Sequence, residues 1–411
     1  MIILSVKFNK IWFLLTFIAL LFSSLYLYYT LSSNTVSPDV YKFFSHYTVE
    51  KSIPYHKESR IINITSFLVQ LIFLLWFVFG GFALRLSKTC ERLSGGNYYV
   101  GIFMFFIVLW AILKVLSLPF SLYSFKLQVK WGFSVQTLQS WWMDYIKSSA
   151  IDTILSGIGI ILLFFAINKW HRTWWILASI FLTAMLFLQN FIWPSFIAPM
   201  FNKFTPVTDP TILNMVNDIS KNAGIKIDRV EEMDASRRTT LANAYFYGFG
   251  STSRIVLYDT LLKKYPQDEI KAVIAHEAAH WKENHVLKSI LIGSIGIFIM
   301  LFIFDILLKT SVTQTRSSKF GHFVISLLYL FVLLINFDTN PILNYISRQM
   351  ERQADLLSVQ YLNDKDIVIK LQVDLAEKSL SDIEPPKFIE WFSYTHPSTI
   401  NRIRAIEKSK L

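Results

Sequence analysis

Long apolar runs separated by short polar segments dominate this chain. Residues 11–31, 61–84 and 173–202 carry no charged side chain and are each long enough to cross a bilayer as a helix. Four shorter runs, 98–113, 153–168, 289–304 and 321–337, become full spans once their polar flanks snorkel to the interface. About seven transmembrane helices are therefore predicted. The first run is too long for the core of a signal peptide, and no clear small-residue cleavage site follows it, so it is read as a retained helix. Residues 32–60 read as a polar loop. The 98–113 span is expected to end around Leu118-Pro119-Phe120, with a mixed connection over 121–142. Gly80-Gly81 suggests close helix packing, and Trp193-Pro194 with Pro199 should break the fifth span.

Two segments depart from this pattern. Residues 203–288 are polar and mixed and read as a folded unit outside the hydrocarbon. In it Asp209-Pro210 starts a helix with Ile212, Met215, Val216 and Ile219 on one face, and Gly224 ends it. Residues 229–233 and 254–258 read as short strands. The stretch Asn243 to Gly248 can be an ordinary internal strand or an edge strand able to receive an extended peptide. The second polar unit is 341–411, in which Pro341 opens a helix through Ser347 to Asp355. The expected organisation is thus 1–202 with five helices, 203–288, 289–340 with two more helices, and 341–411. The fold class is mainly α: a polytopic membrane protein carrying a small α+β unit outside the hydrocarbon.

Composition agrees with a membrane protein. Of 411 residues 53% are hydrophobic and 16% aromatic, and the mean hydropathy is +0.41, above ordinary soluble chains. The net charge of +11 is spread over many short loops, which fits contact with anionic lipid and argues against nucleic acid. Cys90 is alone, so no internal disulfide and no cysteine-held zinc is possible. Lys114, Asp152, Asp305 and Asp338 lie within or near span ends, at the interface or lining a cavity.

The chemistry sits in His276-Glu277-Ala278-Ala279-His280, an H-E-x-x-H pattern. Positions four apart share a helix face, so both imidazoles can reach one ion. Glu277 can then act as general base toward a zinc-activated water. Zinc suits two imidazoles, a third protein ligand and one open position. Asp268 and Glu269 complement the positive end of this helix. The longer pattern H-E-x-x-H-x-x-G-x-x-H is not met, since Glu283 and Val286 stand at its Gly and His positions. His285 is one place off and should not be the third ligand. A carboxylate from a later helix remains, and Glu351 is the best candidate. Asp355, one turn on, is placed to hold a ligand imidazole. Lys271, Lys282 and Glu283 around the motif put it at or beyond the membrane interface.

These stretches, with 118–124, 197–206, 243–248, 254–262, 347–355, His396-Pro397-Ser398 and Arg402-Ile403, resemble the integral-membrane type 1 CAAX prenyl endopeptidases. The resemblance runs from the third span almost to the C-terminus; the first two spans match only in hydropathy and position. It implies seven long helices around a water-filled chamber capped by the zinc unit. It implies one Zn2+ per chain on His276, His280 and Glu351, with Glu277 as base and Asp355 behind the ligands. Asn243, His396 and Arg402 would hold the substrate backbone or the oxyanion, reasonable donors for that charge. The implied reaction removes the last three residues of a prenylated Cys-a-a-X sequence. The 355–396 segment is short beside longer members, which bears on substrate range.

The implied partners are a prenylated peptide or protein and membrane lipid, with the chain acting as a monomer. The zinc unit would face the cytosol, in the endoplasmic reticulum membrane of a eukaryote or the cytoplasmic membrane of a prokaryote. Lysine and arginine counts in the loops do not themselves set the orientation. A membrane quality-control protease of the HtpX type and a catalytically dead scaffold are the alternatives.

Overall fold

The computed structural model describes residues 6–32, 36–248, 253–312 and 319–409. The membrane part begins with α1 (Lys10–Leu31), capped by the Asn9 side chain, which accepts from the Ile11 and Trp12 N–H groups. Then come α2 (His46–Phe79), α3 (Phe82–Leu93), α4 (Tyr98–Lys130), α5 (Leu138–Lys169) and α6 (Trp174–Ile192). The polar unit that follows contains β1 (Phe204–Pro206), α7 (Pro210–Ala223), β2 (Arg229–Met233), β3 (Ala244–Tyr247), β4 (Arg254–Tyr258), α8 (Asp259–Lys264) and α9 (Gln267–Lys282). The chain then re-enters the apolar part as α10 (His285–Ser311) and α11 (Val324–Leu362). It closes with α12 (Lys365–Ser379), α13 (Lys387–Ser393) and α14 (Thr399–Lys408).

Among the described residues six helices are long and apolar enough to span a bilayer: α1, α2, α4, α5, α10 and α11. A seventh is α6 with its continuation, bent by 47° at the break before Trp193–Met200, where Pro194 and Pro199 lie. The protein is thus a multi-pass membrane protein. Its apolar core gathers Trp12, Phe105, Phe164, Phe304 and Phe331 from five helices.

Three expectations are corrected. Residues 46–60 are the first turns of α2 rather than loop: Ser45 caps the helix, Val49 and Ser52 are buried, and Arg60 pairs with Asp382 near the C-terminus. Helix α4 runs through Pro119 to Lys130, so 121–130 is no connection; Phe125 and Leu127 are buried there. Pro341 does not open a helix but lies inside α11. In each case tertiary packing outweighs the backbone hydrogen bond that proline removes. Gly81 has φ +80°, so this glycine is required by a turn between α2 and α3.

The ionisable groups at the spans find different settings. Lys114 Nζ meets Asp152 Oδ2 at 3.1 Å. Asp305 is buried and accepts from the Trp174 indole N–H and from Lys309. The Asp338 carboxylate oxygens are buried without a hydrogen-bond partner among the described residues.

The four strands form one sheet in the order β1-β2-β4-β3, with β2 and β4 parallel and the other pairs antiparallel. Among the described residues, strand β3 therefore has one edge without a strand partner. Ile212, Val216 and Ile219 of α7, Ile255 and Leu257 of β4 and Ile274 and Ala275 of α9 build a second core. That core fixes α9 against the sheet.

Candidate metal centre

Helix α9 is amphipathic in an unusual sense. Its buried face is small: Ala272, Ala275, Ala278 and Ala279 have no exposed surface, which lets the helix lie close to its neighbours. Beside it lie His276 and His280, one turn apart, whose Nε2 atoms are 3.1 Å from each other. Helix α11 packs along α9 and brings in Glu351. Its Oε2 is 3.3 Å from His276 Nε2, and its Oε1 is 3.4 Å from His280 Nε2. One ligand atom from each of these three residues falls within 4.8 Å of the others.

Behind this cluster, Asp355 Oδ1 stands 3.1 Å from His276 Nδ1, a close but bent contact. Asp355 is itself gripped by Arg402 of α14, with Nε to Oδ2 at 2.8 Å and Nη2 to Oδ1 at 2.6 Å. This is the two-pronged guanidinium–carboxylate geometry. Arg402 Nη2 also comes within 3.8 Å of Glu351 Oε2, and His396 Nε2 lies 3.3 Å from Glu351 Oε1. His396 is more than half exposed, so it borders the cluster from the open side. Glu277 makes no hydrogen bond among the described residues. Burial raises its carboxyl, and the nearby His276 and His280 oppose that rise.

Asn243 is placed differently. It is exposed at the head of β3, and its Oδ1 accepts from the Ala244 N–H at 2.9 Å. No hydrogen bond among the described residues joins it to the cluster. The edge strand it precedes nevertheless lies over α9, with Phe246 stacked on Trp281 at 5.7 Å between ring centres.

A divalent metal fits these donors. If His276 presents its Nε2 lone pair, that lone pair, the one on His280 Nε2 and the buried Glu351 Oε2, which has no hydrogen-bond partner, all face one point. Only a cation, or a proton trapped among them, can relieve that. Without metal the proton is held: burial alone lowers His276, but contacts to Asp355 and Glu351 outweigh it and push the imidazole up to about 10. Two nitrogens and a carboxylate suit zinc chemistry.

One side chain not assigned from sequence belongs to this setting. Helix α9 ends at Lys282, and Asn284 takes the left-handed conformation at φ 54°. That reversal turns His285 back so that its Nδ1 lies 2.9 Å from His280 Nδ1. His285 Nε2 is in turn 3.1 Å from Gln353 Oε1 of α11, and Gln353 Nε2 donates to Glu283 Oε2 at 2.7 Å. The one signal in sequence is the spacing of His280 and His285 across an asparagine that tolerates positive φ.

Among the described residues three cavities meet the cluster; one of about 360 Å3 is lined by His280, His285 and Glu351, and two are larger. The largest, about 1060 Å3, reaches His280 and is walled by Leu186, Trp193, Phe246, Trp281, Leu287 and Ile290. The other, about 500 Å3, is polar and reaches His396 and Arg402, with Arg60 and Asp382 in its wall.

Residues 206–410 match peptidase family M48, and residues 25–203 match the CAAX prenyl protease N-terminal region of five membrane helices. CAAX prenyl protease 1 of Saccharomyces cerevisiae is 32% identical over 71% of this chain and 69% of its own. The uncharacterized metalloprotease YhfN of Bacillus subtilis is 27% identical over 94% of this chain and 93% of its own. The crystal structure of Ste24p from S. mikatae superposes with a TM-score of 0.83 at 27% identity, covering 95% of this chain and 97% of that one.

Proposed function

Because this chain belongs to peptidase family M48 and carries the CAAX prenyl protease N-terminal region, we propose that it is a zinc metalloendopeptidase that removes the last three residues of prenylated C-terminal Cys-a-a-X sequences. His276, His280 and Glu351 would hold one zinc ion per chain. When bound, zinc supplies a Lewis acid that polarises the scissile carbonyl and acidifies water.

The protein's own groups do the rest. Glu277, raised by burial, takes a proton from the attacking water and returns it to the leaving amine. The free edge of β3 receives the substrate as an added strand beside α9. His396, on the open side of Glu351, donates to the oxyanion. Asn243 meets the substrate backbone at the head of β3. Arg402 holds Asp355, and through it His276, in addition to any contact with substrate. The chain acts as a monomer in the membrane, with the zinc unit on the cytosolic side.

The observation that carries the substrate reading is the apolar cavity that ends at His280 between α6 and α10. A protease of soluble peptides has no use for it, whereas a prenylated cysteine brings a long apolar group to the scissile bond. Purified protein should contain one zinc and cut a farnesylated peptide far faster than its non-prenylated twin. Equal cutting of the two, or cutting only of an unfolded membrane protein, would replace this reading with a quality-control protease.

A further inference from the structure

We infer that His285 is a positioning residue that fixes the tautomer and ring orientation of His280. This rests on the reading of His276, His280 and Glu351 as a metal site.

His280 can offer its Nε2 lone pair to an ion only if its proton sits on Nδ1. That Nδ1–H needs an acceptor, and the atom facing it at 2.9 Å is His285 Nδ1. Accepting there places the His285 proton on Nε2. That Nε2–H faces the side-chain oxygen of Gln353 at 3.1 Å, which requires the Gln353 amide nitrogen to point the other way. It does, donating to Glu283 at 2.7 Å. Every link therefore has one donor and one acceptor, and only one arrangement of protons satisfies them all. His285 is 4% exposed and meets His280 edge to face at 4.9 Å, a contact that restrains both rings. The other imidazole, His276, is held from Asp355 instead. The two ligand rings thus have unlike supports: one a carboxylate, the other a neutral chain that runs out to Glu283 at the α9–α10 junction.

The test is zinc affinity, measured by chelator competition on purified protein without substrate. His285→Leu removes the acceptor at nearly constant volume, while His285→Asn keeps an acceptor atom where Nδ1 stood. His285→Leu should weaken binding about 10- to 100-fold, the range for removing such a partner, and His285→Asn should recover most of it. Equal losses in both, or no loss in His285→Leu, overturn the inference. If His285→Leu does not fold, Gln353→Leu carries the same test one link out, with a weakened affinity supporting the chain and an unchanged one refuting it. Glu351→Gln is the control. Wild type without zinc that Glu351→Gln abolishes sinks the metal site itself; normal zinc in wild type with no effect at His285 sinks this inference alone.

Discussion

His276 Nδ1 and Asp355 Oδ1 lie 3.1 Å apart, although they come from different helices and 79 residues separate them in the chain. The carboxylate is buried and locked by Arg402, so it cannot swing away from the ring. Replacing Asp355 by Asn should weaken zinc binding about 10- to 100-fold. Asparagine can still face the ring but brings no charge. Chelator competition checks this, and an affinity equal to wild type would mean that the contact is incidental.

Glu277 has no hydrogen bond among the described residues and stands next to His276 in the chain. Glu277→Gln keeps size and polarity and removes basicity. It should bind zinc as wild type does, and kcat on a prenylated peptide should fall by about 10^2- to 10^4-fold. Retained cleavage would take the base role from Glu277.

How far the site could be read ahead of the structure differs residue by residue. The spacing of His276 and His280 places both rings on one helix face, and their Nε2 atoms are 3.1 Å apart. Strands 229–233 and 254–258 are legible because the cue is local: each is a short segment bounded by turn residues, and 255–258 is a continuous apolar run. Helix continuity through Pro54, Pro119 and Pro341 is not legible, because packing between distant segments decides it. The support from His285 is hidden for a related reason. It depends on one left-handed residue, Asn284, and on Gln353 arriving from α11. The grip of Arg402 on Asp355 likewise exists only once α14 has docked on α11.

The proton held by His276 gives a pH prediction. Burial lowers this imidazole, yet its contacts with Asp355 and Glu351 raise it to about 10 in the metal-free protein. Zinc must displace that proton. Apparent affinity should therefore climb about tenfold per pH unit between roughly pH 6.5 and 9. The metal-free fold follows the opposite sign. A folded value above the unfolded 6.5 stabilises fully below 6.5, and that stabilisation is lost as pH rises toward 10. Competition titrations at several pH values test the first statement. A flat profile would show that His276 is neutral before zinc arrives.

Leu287 is partly exposed at the start of α10 and faces the large cavity with Trp193 and Ile290. Its side chain is apolar and takes no part in the polar contacts that hold the metal cluster, so enlarging it should leave that cluster intact. If the cavity holds the apolar group of the substrate, Leu287→Trp narrows that space. KM for a farnesylated peptide should then rise by about tenfold, the scale of losing one to two kcal/mol of apolar contact. A non-prenylated peptide with the same sequence should be cut at an unchanged, low rate, and zinc content should stay at one per chain. A matching change on both peptides would show that the bulk disturbs the edge strand β3 or α9 instead. No change on either would place the lipid elsewhere, on the bilayer side of the spans or against the polar cavity beside Arg402. The paired comparison reads the cavity separately from the chemistry, because under the proposed mechanism the plain peptide would be cut by the same Glu277 and the same three ligands.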